Sequence, residues 1–304
     1  MAAIGYNAHY LIRDGNPWLP IMGEMQYSRT RREEWRDSLY KMKAGGVDIV
    51  QSYVFWIHHE EIENEWDFTG NRSLRAFLQE IQHCGLYMFL RIGPWPHGEA
   101  RNGGFPDWLL EKGWRLRTND ERYLAKVREY FTRIYEQAKG FLLSDGGPII
   151  GIQVENEHGP CGGEGGEKGE EHIRTLTAML KEIGFTVPIY SATGWGGAST
   201  GDLLPVWGGY CEEPWCPDTV EHPPNGNYLF KDERNDNQIG GNAGIQYGAR
   251  DTVEGYPYFT AELGGGVQIS RFRRPIVSGR DTGALSLCRL GSGVNLLGYY
   301  IYHG

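Results

Sequence analysis

Two glutamates separated by one asparagine close an apolar run in "GGPIIGIQVENEHG", residues 146–159, and a third carboxyl, Glu262, ends another in "YPYFTAELGGG". Taking an ionised carboxyl out of water is costly, so a buried-looking segment ending in one needs a counter-charge or a chemical use for it. Two carboxyls held about 5 Å apart suit a retaining glycosidase. One attacks the anomeric carbon; the other first protonates the leaving oxygen and later takes a proton from water. The proton donor must stay protonated near neutral pH, which calls for apolar surroundings or a neighbouring anion. Ile150, Ile152 and Val154 precede Glu157, which suits Glu157 as donor and leaves Glu262 to remain ionised as nucleophile. The structural alternative is that one or both glutamates of the pair Glu155 and Glu157 bind arginines such as Arg91. Strand alternation sends Glu155 and Glu157 to one face and Asn156 to the other. Asn156 and Glu157 can therefore share a pocket only if the strand is distorted there, and we expect that distortion.

The elements that must position these groups read as alternating apolar runs and amphipathic segments, the pattern of parallel βαβ units. Strands are expected at 19–25, 48–56, 86–93, 148–154, 187–192, 204–210, 256–262 and 296–302, and helices at 32–46, 71–85, 120–141, 167–184 and 280–291. Eight strands with right-handed crossovers close most economically into an α/β (β/α)8 TIM barrel, with an open doubly wound sheet as the competitor. The barrel is favoured for two reasons. No glycine-rich phosphate fingerprint follows the first strand, and polar residues cluster at the C-terminal ends of many strands, where barrels keep their chemistry. Glu157 and Glu262 follow the fourth and seventh runs, so they face each other across the mouth. At 304 residues the chain is expected to be one catalytic barrel domain, 1–304. It stops at "YYIYHG", which reads as truncation after the eighth strand, without the final helix or any C-terminal β-rich domains.

The formal charge of -9 disfavours nucleic acid and anionic membrane as partners, because both repel a negative surface. No run approaches twenty apolar residues, so no transmembrane segment is visible, and "MAAIGYNAHY" carries no signal-peptide pattern; the compartment stays open. Five cysteines are too few for a disulfide scaffold; Cys211 and Cys216 could form a local bridge or stay thiols. His58, His59 and Glu60 resemble a metal cluster on paper, but adjacent residues on a strand end point to opposite faces. No metal or other cofactor is expected. Ten Trp and eighteen Tyr suit sugar faces as well as cores, and Trp195, Trp207 and Trp215 could form a stacking platform or fill the core. The Pro-, Gly- and Asn-rich segment 211–255 is expected to wall one side of the pocket, and "CGGEGGEKGEE", 161–171, reads as a flexible loop. Glu24 and Arg29, at the first strand's tip, are expected to orient the carboxylates.

The blocks "GEMQYSRTRREEWRDSLYKMKAGGVDIVQSYVFW", "LRIGPWPHGEARNGGFPDWLL", "LRTND", "GGPIIGIQVENEHG" and "YYIYHG", in that order, closely resemble the catalytic barrel of glycoside hydrolase family 35, the β-galactosidase family. The likeness covers nearly the whole chain and is weakest between about 195 and 255. It implies a retaining exo-acting hydrolase of terminal β-linked galactose or a related sugar, acting on an oligosaccharide or glycoside. By the same resemblance Glu157 is the acid/base, Glu262 the nucleophile and Asn156 a donor to the sugar 2-hydroxyl. Tyr53 and Glu99 match positions that hold the galactose hydroxyls, and Tyr300 matches an aromatic near the nucleophile. Family members usually read "FWNLHEP", "GPYxxAEW" and "GEIHY" where this chain has "FWIHHEE", "GPWPHGEA" and "GEMQY". Ile57, Gln26, and the strip Trp95, His97, Gly98 and Ala100 therefore depart from the usual sugar contacts. Hydrolysis is better supported than galactose itself, and arabinopyranose, glucosamine and glucose stay open as sugars. From other classes, a carbohydrate-binding barrel without turnover and a metal-dependent hydrolase or lyase remain alternatives.

Overall fold

The computed structural model describes residues 3–191, 198–201, 203–212, 216–217, 220, 222–224, 226–230, 255–265 and 273–303. Eight parallel strands close into a barrel: β4 (Ile21–Met25), β5 (Ile49–Tyr53), β6 (Tyr87–Gly93), β7 (Ile149–Val154), β8 (Ile189–Ser191), β9 (Leu204–Gly209), β10 (Phe259–Gly264) and β11 (Leu297–His303). Each pairs with its neighbours in chain order, and β11 returns to β4 with Leu297 opposite Ile21. The eight apolar runs of the sequence are these eight strands, with ends shifted by up to three residues.

Between them the larger helices are α1 (Trp35–Ala44), α3 (Leu74–Cys84), α5 (Glu121–Ala138), α6 (Gly166–Ile183) and α7 (Gly279–Gly291); α2 (Trp56–His59) and α4 (Asp107–Glu111) are single turns. Their ends follow local chemistry. Ser73 caps α3 by accepting from the Ala76 N–H, Asp120 caps α5, and Ser278 with Asp281 forms a capping box on α7. Such a cap stabilises by about 1 kcal/mol. Helix α3 stops at Gly85, whose φ of 64° suits a residue without a side chain. On α3 the residues Leu74, Phe77, Leu78 and Ile81, spaced three and four apart, are all fully buried. They join a shell between strands and helices that includes Val50, Leu90, Ile92 and Ile152. A second apolar layer, with Met22, Ile49, Phe89, Ile150, Leu204 and Phe259, fills the lower half of the barrel's inside.

Two features differ from the sequence expectation. An antiparallel sheet of β1 (Ile4–Tyr6), β2 (Leu11–Arg13) and β3 (Asn16–Trp18) precedes the barrel. It packs Leu11 and Trp18 against that lower layer, and the Leu11 N–H donates to Asn295 Oδ1 at 2.7 Å. Its turn is Asp14–Gly15, with φ of 52° and 79°, the backbone that a two-residue hairpin requires. The second concerns 161–171: α6 already begins at Gly166, and Glu170 on it accepts from the Thr200 and Gly201 N–H groups, so only the first part of that run is loop. Most of the 211–255 segment, with Trp195 and Trp215, lies outside the described residues. Trp207 is buried edge-on against Tyr258 at 5.1 Å, as core packing.

Candidate active site

The upper end of the barrel carries the charges. Arg91, on β6, is almost fully buried on the barrel axis and donates to three partners: Glu24 Oε2 at 3.0 Å, Asn156 Oδ1 at 2.8 Å and Glu262 Oε1 at 2.5 Å. Its guanidinium also lies over the Tyr53 ring, 3.9 Å from the centroid. Arg91 thus connects residues on β4, β5 and β10 with the turn that follows β7.

Both candidate carboxylates reach the interior through breaks in strand regularity. Strand β7 ends at Val154, and Glu155 and Glu157 then adopt φ of 55° and 48°. A left-handed residue interrupts the alternation of faces, so Asn156 turns inward to Arg91 and Gln153, while Glu155 leaves the axis. The expected distortion is present. On β10, Phe259 and Ala261 both face the lower interior layer, so strict alternation would send Glu262 outward. The register against β9 slips between Thr260 and Glu262, a bulge that re-aims the side chain.

Glu155 answers to Arg117 rather than Arg91. Arg117, from the loop before α5, grips it through Nε at 3.1 Å and Nη2 at 2.6 Å, and reaches the carbonyls of Asn156 (2.8 Å) and Cys161 (2.6 Å). Burial opposes the charge of Glu155, but Arg117 and His158 together offset it and hold the carboxyl far below the usual range. Arg117 is therefore a clamp on the loop that carries Glu157. The motif "LRTND" contains it, but nothing local in the sequence pairs it with Glu155, 38 residues on.

Glu157 and Glu262 are 4% and 5% exposed, yet their proton affinities are driven apart. Burial raises Glu157 to about 8, and the negative charge of Glu262 adds to the effect. At Glu262 burial is opposed by the Arg91 charge and by hydrogen bonds from Arg91, Tyr53 and Tyr210, and the balance lies below the ordinary carboxylate value. Tyr53 Oη donates to Oε1 at 2.8 Å and Tyr210 Oη to Oε2 at 2.9 Å. Tyr210, which follows β9 in the stretch of weakest resemblance, had no motif to mark it. One carboxyl neutral and one ionised in the same buried site is the division that acid and nucleophile roles require.

Glu99 Oε2 accepts a hydrogen bond from the Tyr300 hydroxyl, and burial followed by the Glu262 charge raises Glu99 to about 7. His97, Gly98 and Glu99 all have left-handed φ, from 49° to 63°. At Gly98 a Cβ would lie 2.7 Å from the Phe55 ring, so only glycine allows this strip to approach the barrel mouth. His97 Nδ1 lies 3.8 Å from Glu157 Oε2, and burial pulls the imidazole below its ordinary value. Trp95 stacks on His97, with centroids 5.1 Å apart and planes at 4°, and carries the Arg117 guanidinium on its ring at 3.8 Å. Trp95 thus packs between two neighbours. Arg29 lies over the Phe55 ring and within the field of Glu99, whereas Glu24 touches Arg91; burial raises Glu24 to about 8 against the pull of Arg91.

The expected cluster at 58–60 is taken up by protein partners. His59 binds Tyr27 and the Asp67 carbonyl, His58 binds Ser28, and Glu60 binds Trp56 and the Asn64 N–H, so these three do not converge. Glu155, His158 and His172 bring donor atoms within 4.8 Å of one another, but both Glu155 oxygens already accept from Arg117, and a cation there would face that guanidinium. Cys84, Cys161, Cys211 and Cys288 are free thiols. Among the described residues no helix is long and apolar enough to cross a membrane.

Several known proteins are similar to this chain. A β-galactosidase of Xanthomonas manihotis is 39% identical over 156 residues, covering 51% of this chain and 26% of the relative. Beta-galactosidase 6 of Oryza sativa subsp. japonica is 34% identical over 190 residues, 62% of this chain and 22% of the relative. This chain thus spans about a quarter of the length of these curated relatives. Among solved structures, an exo-beta-1,4-mannosidase from Opitutaceae bacterium strain TAV5 superposes with a TM-score of 0.65 at 17% identity, covering 94% of this chain and 52% of that one. A β-galactosidase from the haloarchaeon Halorubrum lacusprofundi gives 0.65 at 13% identity, covering 92% and 52%; both show the shared barrel fold. The family model for glycosyl hydrolases family 35 matches residues 10–228, and the chain belongs to that family.

Proposed function

We propose that this barrel hydrolyses terminal β-linked galactose or a closely related sugar, with retention, through a covalent glycosyl-enzyme. The observation that carries the reading is two buried carboxyls in opposite surroundings, Glu157 facing the negative charge of Glu262, and Glu262 held by Arg91, Tyr53 and Tyr210. Glu262, held by Arg91, Tyr53 and Tyr210, attacks the anomeric carbon while Glu157 gives its proton to the departing oxygen. Esterification removes the Glu262 charge. That charge is the second cause of the high proton affinity of Glu157, so its loss lowers that affinity and leaves the carboxyl ionised at neutral pH, free to take a proton from the incoming water. Asn156, whose Oδ1 is fixed by Arg91 and Gln153, presents its amide as the donor for a sugar 2-hydroxyl. Glu99 with Tyr300, and Tyr53 beside them, provide acceptors and donors for the remaining hydroxyls.

A sugar other than galactose within the same mechanism is favoured by one specific observation. The strip 95–100 differs from the usual family wording, and Gln26, where relatives usually have His, spends its Oε1 on the Tyr53 N–H at 3.1 Å. The test is incubation with 2-deoxy-2-fluoro glycosides in the galacto, gluco and arabino configurations, followed by peptide mapping. A label on Glu262 from the galacto reagent supports the main reading, and a label from another reagent alone moves the assignment to that sugar. Sugar binding without any label would mean a binding barrel instead.

A further inference from the structure

The loop after β7 places a thiol against the carboxyl assigned above as acid/base. Cys161 Sγ lies 3.1 Å from Glu157 Oε2, in hydrogen-bond geometry with the thiol as donor. Two main-chain bonds hold it there: the Cys161 N–H donates to the Glu157 carbonyl at 3.0 Å, and the Cys161 carbonyl accepts from Arg117 at 2.6 Å. Gly159 and Gly162 close the same loop with a two-way backbone bridge. The thiol's place is therefore set by the turn that carries Glu157, and the Arg117 clamp fixes both ends of that turn.

We propose that Cys161 is a positioning residue for Glu157: its S–H donates to Oε2, fixes the carboxyl's orientation and favours its ionised form. This rests on Glu157 being the acid/base. The other groups facing that carboxyl are Glu262 and Glu99, which oppose its ionisation, Arg91, which favours it, and His97, 3.8 Å from the same oxygen. A thiol serves here because it is a weak donor that stays protonated. Burial, and then the Glu157 charge, push Cys161 well above the ordinary thiol range. A strong donor would ionise Glu157 at neutral pH and remove the proton needed for the leaving group. The relation is reciprocal: a thiol that stabilises the carboxylate is itself kept from becoming thiolate by that carboxylate.

The test compares the wild type with Cys161→Ala, Cys161→Ser and Glu157→Gln. In Cys161→Ala the alkaline limb of kcat/KM should move up by about half a pH unit or more, because a donor to the charged form has been lost. On an alkyl glycoside kcat should fall about three- to tenfold with KM within twofold. Cys161→Ser should bring the limb back toward, or below, the wild-type position. In Glu157→Gln, iodoacetamide at pH 9 should alkylate Cys161 several-fold faster than in the wild type, a thioether forming as iodide leaves; mass spectrometry reads this without any turnover. An unmoved limb in Cys161→Ala together with unchanged alkylation in Glu157→Gln overturns the proposal. If Glu157→Gln keeps its alkaline limb and cleaves alkyl and activated aryl glycosides as the wild type does, the acid/base assignment itself has failed, and that outcome is distinct from the first.

Discussion

At its lower end the barrel is closed by Leu11, Trp18, Ile49, Phe89, Ile150 and Phe259, whereas at its upper end Glu24, Arg91, Glu99, Glu157 and Glu262 gather around the axis. The lower group is apolar, and the hairpin that seals it turns at Asp14–Gly15, residue types suited to positive φ. The upper group places glutamates at φ near 50°, a histidine at 63°, and a bulge inside β10. Burial at the bottom stabilises directly, about 1.5–3 kcal/mol for a large apolar side chain. Burial at the top costs stability until Arg91 and Arg117 offset it, and even then the backbone stays strained. The same barrel thus separates a region selected by packing from a region whose unfavourable features make sense only through chemistry.

The largest effect that separates the two ends is expected from Glu262→Gln. It should cut kcat/KM by about 10⁴-fold or more while leaving the thermal midpoint within a few degrees, measured on an activated aryl galactoside and by calorimetry. Residual turnover within tenfold of the wild type would dissolve the contrast. Next, Trp18→Ala should destabilise by about 3–5 kcal/mol, read from urea midpoints, with kcat per folded molecule unchanged. A change in kcat would mean that the lower layer reaches the site. The smallest effect is a shape in pH. Glu157 must be protonated and is raised to about 8, so kcat/KM should hold below that pH and fall above it. Glu262 must be ionised and is lowered, so the acid limb should lie below the ordinary carboxylate value near 4.5. An alkaline limb at pH 6 or lower would deny Glu157 its raised affinity.

What could be read in the sequence followed from period and position. The eight strands were legible as apolar runs of strand length, five of them followed by an amphipathic segment. Glu157 and Glu262 stood out as carboxyls at strand ends, and parity showed that Asn156 and Glu157 could share a pocket only through a break in the strand. The three-residue strands β1 to β3 are too short to show a period, although the Asp14–Gly15 pair was a usable signal. Arg117, Tyr210 and Cys161 escaped for a different reason. Arg117 and Tyr210 act on Glu155 and Glu262 across 38 and 52 residues, distances at which only closure of the barrel creates the contact. Cys161, four residues from Glu157, depends on a turn whose geometry comes from Arg117. The structural alternative, an arginine partner for one or both of Glu155 and Glu157, holds for Glu155, but with Arg117, because the left-handed Glu155 points off the axis and leaves Arg91 to Glu24, Asn156 and Glu262.

The left-handed backbone at Glu157 has a consequence for anyone who designs an inactive form. A β-branched substitute there would be a steric outlier and would unfold the loop, so loss of turnover in such a variant would report on shape alone. Glycine, by contrast, adopts that φ freely and would relax the turn, giving a protein that is catalytically dead and locally less strained at once.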